Sequence, residues 1–440
     1  MEEMGGNAAR RKRLLTAGTA AALLASLSIA HAGGYFIVHT FTDQNGDGAM
    51  PAASLIRDRA GYLYGTTDAG GRYFASSGVV FRIAPDGTET VLYLFCSLSN
   101  CTDGSEPFGA VVRDGAGNLY GTTYSGGAHN FSGTVFKLAS DGTETVLHNF
   151  CSQTACSDGY GPVAGVIRDG SGNLYGTTYI GGAYNGGVAF KLAPDGTETV
   201  LHSFCSVTNC ADGHEPYGGV IRDSAGNLYG TTYTGGPDNG GVVFKLTPNG
   251  TETVLHNFCS LSNCADGAYP QDSMILDRGT GNLYGTTEFG GSGGLHCDGG
   301  SSCGVVFEIS PNGAETVLHS FDNADGGNPL GSLFKDRAGN LYGTTFFGGK
   351  NNDGVVFKLS PDGTETVLHF FSGGSDGKYP RGGVIGDNGR LYGTTLSGGD
   401  GGGVVFRLNR LRRDRDARAK NRNSRALAPL TLHRRESPRG

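Results

Sequence analysis

Charged residues are scarce in this chain. They make up 17% of its 440 residues, whereas about 25% is usual in globular proteins. That shortage excludes a coiled coil or a long helical array. Glycine and proline, at 78 and 15 residues, stay below the level of an aperiodic disordered chain. Because a single hydrophobic core stops growing at roughly 250 to 300 residues, we expect several domains or one modular array.

Motifs of familiar enzyme classes are lacking as well. The sequence has no H-E-x-x-H zinc motif and no phosphate-binding loop. In the repeated body of the chain, no run is long or periodic enough to predict a helix. These absences favour an all-β protein without an obvious catalytic motif.

The first 32 residues have the pattern of a secretory signal peptide. A basic cluster at 10–13 precedes an apolar stretch at 14–30, and Ala30-His31-Ala32 forms a small-x-small cleavage signal. An uncleaved anchor is the alternative, but the stretch is short and contains Gly, Thr and Ser, whereas a span needs about 20 apolar residues. We expect cleavage near Ala32, no transmembrane span in the mature chain, and a secreted, periplasmic or cell-surface location.

Residues 409–440 differ sharply in composition from the rest. They contain 11 Lys and Arg but 3 Asp and Glu, with few apolar residues, which predicts a disordered basic tail. The body, residues 33–408, has 19 basic and 36 acidic residues, a net charge of −17. Such a body repels nucleic acid, so we expect no nucleic-acid partner; the tail could rest on an anionic envelope surface or on the body itself. We expect a monomer.

One segment recurs along the body. The pentapeptide Leu-Tyr-Gly-Thr-Thr begins at Leu63, Leu119, Leu174, Leu228, Leu283, Leu341 and Leu391. Each copy contains short β-rich runs separated by Gly, Asn, Asp and Pro turn residues. Four antiparallel strands in a unit of this length indicate a blade of a β-propeller. A solenoid of the same strands is the alternative, but it would need capping units at both ends.

The two ends of the repeated array complement each other. The seventh copy has β-rich runs at 382–387, 390–395 and 403–408 and lacks a fourth. The missing strand matches residues 35–41, Tyr-Phe-Ile-Val-His-Thr-Phe. Pairing this segment with the seventh copy closes the ring and removes open sheet edges. We therefore predict an all-β, seven-bladed β-propeller of four-stranded antiparallel blades over residues 33–408, closed by an N-terminal strand that completes the last blade.

The copies resemble a known family. Their motifs, D-x-x-G-N-L-Y-G-T-T and G-V-V-F-K-L-x-P-D-G-T-E-T-V-L-H-x-F, are similar to the tandem units of GloVer repeat proteins, also called choice-of-anchor tandem repeat proteins, and more distantly to NHL-type propeller blades. The resemblance covers nearly all of residues 35–408. It implies an exported bacterial β-propeller and supplies no catalytic residue to carry over. Relatives often end in a sorting or anchoring segment, which the basic tail of this chain does not resemble.

Two loops of each copy vary in length and content. In a propeller, the connection from an outermost strand to the next innermost strand and the loop between the second and third strands emerge on one face, called here the variable face. The turns of the opposite face, D-x-x-G-N and P-D-G-T-E-T, barely change between copies. Variable loops on a rigid scaffold are where binding sites are usually built.

The second-to-third loops also carry aromatic residues. Such rings suit stacking on sugars or anchoring a protein partner, and simple packing of the blade tops is the alternative. The ligand-binding candidates are Tyr73, Phe74, Tyr124, Phe131, Tyr179, Tyr184, Tyr233, Phe289, Phe346 and Phe347.

All ten cysteines form short local pairs. In an exported chain this pattern predicts disulfides, each worth roughly 2 kcal/mol on the loop-entropy estimate. Zinc is the alternative, but thiolates from loops on separate blades would have to meet at one ion. The predicted disulfides are Cys96–Cys101, Cys151–Cys156, Cys205–Cys210, Cys259–Cys264 and Cys297–Cys303.

Acidic and histidine residues that recur in the copies are predicted to be structural. An Asp at the end of each innermost strand can accept backbone N–H groups of the following turn, and the recurring outer-strand His is expected to pack. An active site needs different residues from different blades, because its acid and its base require unequal environments. The recurring residues are Asp58, Asp114, Asp169, Asp223, Asp277, Asp336, Asp387, His148, His202, His256, His319 and His369, with Tyr93 at the His position of the first copy.

We predict no cofactor and no metal site. Residues 43–48, Asp-Gln-Asn-Gly-Asp-Gly, resemble the start of a calcium loop, but the twelfth position is Ser54 instead of Glu. Acidic turns such as 322–325 leave weak calcium binding as the alternative.

Four polar residues of the variable loops are not repeated: Glu106, His214, Glu215 and Glu288. They are the candidates for acid–base chemistry, with ordinary surface residues as the alternative. We assign no catalytic residue and predict an exported, non-enzymatic β-propeller repeat protein that binds a glycan or a protein partner through its variable face. The alternatives are an extracellular polysaccharide hydrolase or lyase built on a propeller, and a purely structural envelope protein.

Overall fold

The chain forms seven four-stranded antiparallel sheets, which are the blades of a propeller. The computed structural model describes residues 34–44, 46–71, 77–292, 297 and 302–409. The predicted signal peptide lies outside these residues, as does the basic tail beyond Asn409. In the described part, no helix has the length and apolar character needed to cross a membrane.

Each blade is numbered in chain order, and its strands are numbered from the ring axis outward. The innermost strands are Ile56–Arg57, Val112–Arg113, Ile167–Arg168, Ile221–Arg222, Ile275–Leu276, Phe334–Lys335 and Ile385–Asp387. The second strands are Leu63–Thr67, Leu119–Thr123, Leu174–Thr178, Leu228–Thr232, Leu283–Thr287, Leu341–Thr345 and Arg390–Thr395. The third strands are Val79–Ile83, Thr134–Leu138, Val188–Leu192, Val242–Leu246, Val305–Ile309, Val355–Leu359 and Val404–Asn409.

The outermost strands come from six consecutive copies and from the N-terminus. They are Glu89–Leu94, Glu144–Asn149, Glu198–Ser203, Glu252–Asn257, Glu315–Ser320, Glu365–Phe370 and, in blade 7, Tyr35–Thr40. Blade 1 adds a short ladder between Gly48–Ala49 and Ala69–Gly70. Single 3₁₀ turns lie at Ser99–Cys101, Thr154–Cys156, Thr208–Cys210, Ser262–Cys264 and Gly374–Asp376.

Both faces of each blade are covered, which explains the loss of polar alternation in the third strands. In blade 4, Val242, Val243 and Phe244 are all completely buried. The glycine of the second strand leaves room for that phenylalanine, because a Cβ on Gly230 would lie 2.5 Å from the ring of Phe244. The same glycine and phenylalanine face each other in every blade, so the L-Y-G-T-T motif is conserved between copies for packing.

One aromatic contact joins each blade to the next. The phenylalanine just after an outermost strand packs against the third-strand phenylalanine of the following blade, with ring centroids 4.9 to 5.4 Å apart. Because edge-to-face pairs of buried rings are favourable, all seven seams share one interaction. The pairs are Phe95–Phe136, Phe150–Phe190, Phe204–Phe244, Phe258–Phe307, Phe321–Phe357, Phe371–Phe406 and Phe41–Phe81.

The N-terminal strand closes the ring as predicted. Tyr35–Thr40 pairs antiparallel with Val404–Asn409, with one register shift in the middle. The Tyr35 side chain is buried, stacks on His369 of blade 6 at 3.9 Å between ring centroids, and donates its hydroxyl to the backbone oxygen of Asp376 at 2.6 Å. The predicted seven-bladed fold is therefore confirmed.

The loops also take the sides of the ring expected for a propeller. In blade 4, His214 of the outermost-to-innermost connection and Thr234 of the second-to-third loop form an antiparallel bridge, and equivalent bridges occur in the other blades. Both loops therefore lie on the variable face. The five predicted disulfides are all formed, and no cysteine is free.

The recurring Asp residues set turns, as their repetition indicated. Asp114 accepts the backbone N–H groups of Ala116 and Asn118 at 2.9 Å each and the Tyr120 hydroxyl at 3.1 Å. The recurring His does more than pack: in blades 2 to 6 its Nε2 lies 2.9 to 3.6 Å from a carboxylate oxygen of an Asp in the following connection. In blades 2, 3, 4 and 6 that Asp also holds the connection by accepting a serine N–H, for example Ser206 to Asp212 at 2.9 Å.

Candidate functional site

Three positions in each blade vary in residue type and surround the ring axis on the variable face. Two of them flank a proline that every outermost-to-innermost connection contains. The residues before the proline are Met50, Glu106, Gly161, Glu215, Tyr269, Asn328 and Tyr379. The residues after it are Ala52, Phe108, Val163, Tyr217, Gln271, Leu330 and Arg381. The third position directly follows the second strand and holds Asp68, Tyr124, Tyr179, Tyr233, Glu288, Phe346 and Leu396.

An invariant backbone arrangement carries these changing side chains. Every residue before the proline has φ between +55° and +64°, a left-handed conformation that costs energy for residues other than glycine. Its N–H donates to a carbonyl of the preceding blade, and its own carbonyl accepts the N–H of the residue after the second strand, all at 2.8 to 3.1 Å. Because backbone bonds fix the geometry, the side chains are free to differ from blade to blade.

A cavity of about 300 Å³ lies where the seven blades meet. All seven residues after the proline line it, together with Asp272 and small residues that lie just before the innermost strands. Its volume is at the lower end of the range for small-molecule sites. We call this cavity and the three variable positions around it the mouth.

Aromatic rings form a continuous wall on one side of the mouth. Tyr179 contacts Tyr217 at 5.3 Å between centroids, Tyr217 contacts Tyr233 at 5.7 Å, Tyr233 contacts Tyr269 at 5.2 Å, and Tyr269 contacts Phe289 at 6.0 Å. All five rings are half-buried, so each keeps part of its surface in contact with solvent. We call these five residues the aromatic arc.

Two glutamates hold the tyrosines of the arc. Glu215 accepts the Tyr179 hydroxyl at 3.1 Å and the Thr234 hydroxyl at 3.0 Å. Glu288 accepts the Tyr233 hydroxyl at 3.0 Å. Burial, followed by the charge of Glu215, raises the pKa of Tyr179 to about 12. The arc therefore presents neutral, oriented rings with carboxylates behind them.

Two more carboxyl groups, from blades 1 and 2, lie near each other. Burial, followed by the charge of Glu106, raises the pKa of Asp68 to about 6, and Arg381 partly offsets both effects. Burial also raises the pKa of Glu106. The negative charge of one group thus disfavours ionisation of the other.

Arg381 brings positive charge into this acidic mouth. Its guanidinium lies over the ring of Phe108, 5.4 Å from the centroid, and it lowers the pKa values of Asp68, Asp272 and Glu288 against the raising effect of burial. The Asp272 carboxylate also accepts the backbone N–H of Ser332 in the next blade at 2.6 Å. The mouth thus contains aromatic faces, carboxylates that accept hydrogen bonds, and the Arg381 guanidinium, which can donate several.

The structure brings together most of the residues singled out from the sequence. Tyr124, Tyr179, Tyr233, Phe289, Phe346, Phe347, Glu106, Glu215 and Glu288 lie at or next to the mouth, with His214 beside Glu215 at 3.6 Å. Phe131 and Tyr184 lie instead on the outer loops, 52% and 56% exposed. Tyr73 and Phe74 fall outside the described residues.

Several residues of the mouth were missed by the sequence reasoning. They flank the recurring proline and include Phe108, Tyr217, Tyr269, Gln271, Tyr379 and Arg381. The signal was present in the sequence, because these positions are the ones that change around an unchanging proline.

Metal ligands are not gathered at the mouth. In the described residues, one group of three potential metal ligands lies close together, His39, Asp47 and Glu89, at the seam between blades 7 and 1. In the segment that resembles a calcium loop, Asp47 turns back to accept the N–H of Thr42 at 2.7 Å. The turn at 322–325 is occupied by internal bonds, including His319 to Asp325 at 2.9 Å.

Comparison with known proteins agrees with this architecture. The model of the Gloeobacter/Verrucomicrobia repeat matches residues 27–156, 97–297 and 293–425. The chain belongs to the Gloeobacter/Verrucomicrobia repeat family. The resemblance to GloVer repeats inferred from the motifs is thereby confirmed. No curated protein sequence matches the chain.

Solved structures resemble this family member in fold. Virginiamycin B lyase from Staphylococcus aureus is 11% identical with a TM-score of 0.55, and the match covers 84% of this chain and 98% of that one. Puromycin hydrolase is 13% identical with a TM-score of 0.51, and the match covers 84% of this chain and 52% of that one. At such low identity these likenesses show the propeller fold alone.

Proposed function

We propose that this protein is an exported, non-enzymatic propeller that binds a glycan at the mouth. The observation that carries the proposal is the aromatic arc beside an axial cavity. The rings are not required for the fold, because Ala52, Val163 and Leu330 occupy the position of Tyr217 in other blades. Bulky, half-exposed aromatics at positions where small residues suffice are typical of ligand contacts.

The chemistry of the mouth matches that of a sugar. The faces of Tyr217 and Tyr233 can stack on the C–H surface of a pyranose ring. Hydroxyl groups of the sugar can donate to carboxylates such as Glu215 and accept from Gln271 or the Arg381 guanidinium. A site of this composition combines one apolar platform with several directional polar groups.

The shape favours a glycan over a protein partner. A stable protein interface buries about 800 Å² on each side, whereas the groups that distinguish this mouth converge on a cavity of about 300 Å³. The body between residues 33 and 408 carries 36 acidic and 19 basic residues, so a neutral glycan meets less electrostatic repulsion than a polyanionic one.

Two features support export. The first 32 residues have the composition of a cleavable leader. The five disulfides persist in oxidising compartments and are rare in the cytosol. We place the mature protein outside the cytoplasm, either free or at the cell surface.

The test is binding to an array of neutral plant, fungal and bacterial oligosaccharides, followed by calorimetric titration with the strongest one. We expect Tyr217→Ala to weaken binding at least about tenfold, since it removes the central ring of the arc. Phe131→Ala, which removes an exposed ring from an outer loop, should leave affinity unchanged and is the matched control. A blank array, or equal losses in both variants, would contradict the proposal; capture of a protein ligand at the mouth would replace the glycan.

A polysaccharide hydrolase or lyase is the second candidate, and the Asp68 and Glu106 pair favours it. A carboxyl group with a pKa of about 6 can act as a general acid while its neighbour is ionised. Mass spectrometry of the bound oligosaccharide after long incubation separates the two functions. Cleavage by the wild type that Asp68→Asn abolishes would replace the non-enzymatic proposal.

A further inference from the structure

Three side chains converge where the ring is closed. His39 lies in the closing strand, Asp47 in the connection that follows it, and Glu89 at the start of the outermost strand of blade 1. The His39 Nε2 atom, one oxygen of Asp47 and one oxygen of Glu89 all lie within 4.8 Å of one another. The His39 Nε2 to Asp47 Oδ1 distance is 3.9 Å, which is longer than a hydrogen bond.

None of these three atoms makes a hydrogen bond, although His39 and Asp47 form a long ion pair. His39 Nε2, Asp47 Oδ1 and Glu89 Oε1 are shielded from solvent and make no hydrogen bond with any described residue. Buried polar atoms in folded proteins are almost always satisfied by protein, water or an ion. Three unsatisfied ligand-type atoms that face one point therefore indicate a missing partner at that point.

The corresponding seams elsewhere in the ring share the glutamate but differ at the Asp. The Oε1 atom of the equivalent glutamate also lacks a hydrogen bond in blades 2 to 6, as does Nε2 of His148 and of His256. In blades 1 to 4 the equivalent Asp uses its Oδ1 to accept a backbone N–H, at 3.2 to 3.3 Å. At Asp47 both bonds from Thr42, its N–H at 2.7 Å and its hydroxyl at 2.9 Å, go to Oδ2. Its Oδ1 accepts no hydrogen bond and lies 3.9 Å from His39 Nε2. Among the described residues, no other His, Asp and Glu form such a close group.

We propose that His39, Asp47 and Glu89 bind a divalent transition-metal ion, with zinc as the reference ion. One imidazole nitrogen and two carboxylate oxygens are a ligand set that zinc accepts, with water as the fourth ligand. Zinc ligands lie about 2.0 to 2.2 Å from the ion, so two ligands of a tetrahedral zinc are about 3.4 Å apart. The three atoms now lie within 4.8 Å of one another, so their side chains must move together by about 1 Å when the ion binds.

Such an ion fastens the closure of the propeller. Two ligands belong to the N-terminal segment that completes blade 7, and the third belongs to blade 1. An ion that binds the folded ring and not the unfolded chain stabilises the ring by mass action. The site is separate from the mouth, so its function does not depend on the proposed glycan binding.

The test uses the exported protein, purified without a histidine tag and stripped with a chelator. Zinc is added, unbound ion is removed by gel filtration, and zinc per chain is measured by mass spectrometry beside the thermal midpoint with and without zinc. We expect about one zinc per chain and a higher midpoint for the wild type. Glu89→Gln and His39→Gln should lose both effects.

His256→Gln is the matched control. His256 has the same position in the outermost strand of blade 4, lies 3.6 Å from Asp266 and faces the start of blade 5, yet it belongs to no close group of three ligands. It should keep one zinc per chain. The proposal is overturned if the wild type retains no zinc, if His256→Gln loses zinc as Glu89→Gln does, or if several seams each take up an ion. Should His39→Gln fail to fold, Glu89→Gln decides alone, because glutamine preserves the shape of glutamate.

Discussion

Besides Glu89 of blade 1, five glutamates occupy the first position of an outermost strand, and each is half-buried beside a carboxylate of the preceding blade: Glu144, Glu198, Glu252, Glu315 and Glu365. Burial is the main reason that the pKa of each rises to about 7, and the neighbouring Asp adds to it. In the unfolded chain a glutamate has a pKa near 4.3. The folded state therefore holds protons that the unfolded state has released between about pH 4.5 and pH 7.

Glu252→Gln tests this titration. Because the folded-state pKa is raised, wild-type stability falls as pH rises from about 4.5 to 7 and is then constant with respect to this group. Glutamine keeps the shape without the charge that ionisation would place beside Asp212. We expect the variant to melt at a higher temperature than the wild type at pH 8 and at nearly the same temperature at pH 4.5. A constant difference across this range, measured by calorimetry, would contradict the assignment.

The glutamates of the mouth, in contrast to these repeated glutamates, do not recur in every blade. Glu215 shares its position with a glutamate of blade 2, but the other blades have methionine, glycine, tyrosine or asparagine there. At the position of Glu288 the other blades have aspartate, tyrosine, phenylalanine or leucine. The partners of both glutamates are tyrosines of the arc. A residue that every blade repeats serves the fold, since every seam makes the same demand on it. A residue that changes from blade to blade is free to serve a ligand.

At the scale of elements, the closing strand differs from the other outermost strands in its origin but repeats their packing contact with the next blade. Phe41 packs on Phe81 at 5.0 Å, as the phenylalanine after every other outermost strand packs on the next blade. Tyr35 adds a buried hydrogen bond to Asp376. Loss of the closing strand would expose the edge of Val404–Asn409 and the buried side chains of that third strand of blade 7.

Deletion of residues 35–41 should therefore destabilise the whole ring. Removing the buried rings of Tyr35 and Phe41 alone is expected to cost at least about 5 kcal/mol, since truncating one large buried aromatic costs about 3 to 5 kcal/mol. Denaturant unfolding followed by circular dichroism measures the loss. Phe36→Ala, which truncates a half-buried ring in the same strand, should change stability much less. Unfolding of the deletion variant at the wild-type midpoint would count against closure by this strand.

For the whole molecule, the ring has seven seams with the same phenylalanine pair and one covalent interruption. The N–H of Asn409 donates to the carbonyl of Gly34 at 3.0 Å, so the two ends of the described chain meet. Because the Phe41 and Phe81 seam is the same as the others, no seam is special to the packing of the core. The position of the chain ends is a matter of connectivity alone.

A circular permutant tests that equivalence. Asn409 would be joined to Gly34 by a short Gly-Ser linker, and the chain opened in the exposed turn between Asn249 and Gly250. Permutation is tolerated at such turns, so we expect the native circular dichroism spectrum and a melting midpoint within about 5 °C of the wild type. A permutant that aggregates or melts in several steps would show that the native ends are needed for assembly.

The amino-acid sequence by itself determined the blade count, the strand content, the closing strand and the disulfide pairs. Each of these depends on a local pattern repeated along the chain, such as L-Y-G-T-T, V-V-F-K-L or two nearby cysteines. Local turn chemistry and strand propensity act over a few residues, so repetition reveals them without a structure. Tyr217 and Glu288 contact residues of other blades. The repeat pattern does not show which residues of different blades meet.

Tertiary structure alone decided which variable residues face the axis and which face solvent. Phe131 and Tyr217 are both loop aromatics in sequence, yet one is exposed on the outer loops and the other lines the axial cavity. His39, Asp47 and Glu89 likewise meet only because the ring closes, which brings residues from two ends of the blade array within 4.8 Å. Contacts between blades arise from the packing of seven blades around one axis, so a local sequence pattern does not reveal them.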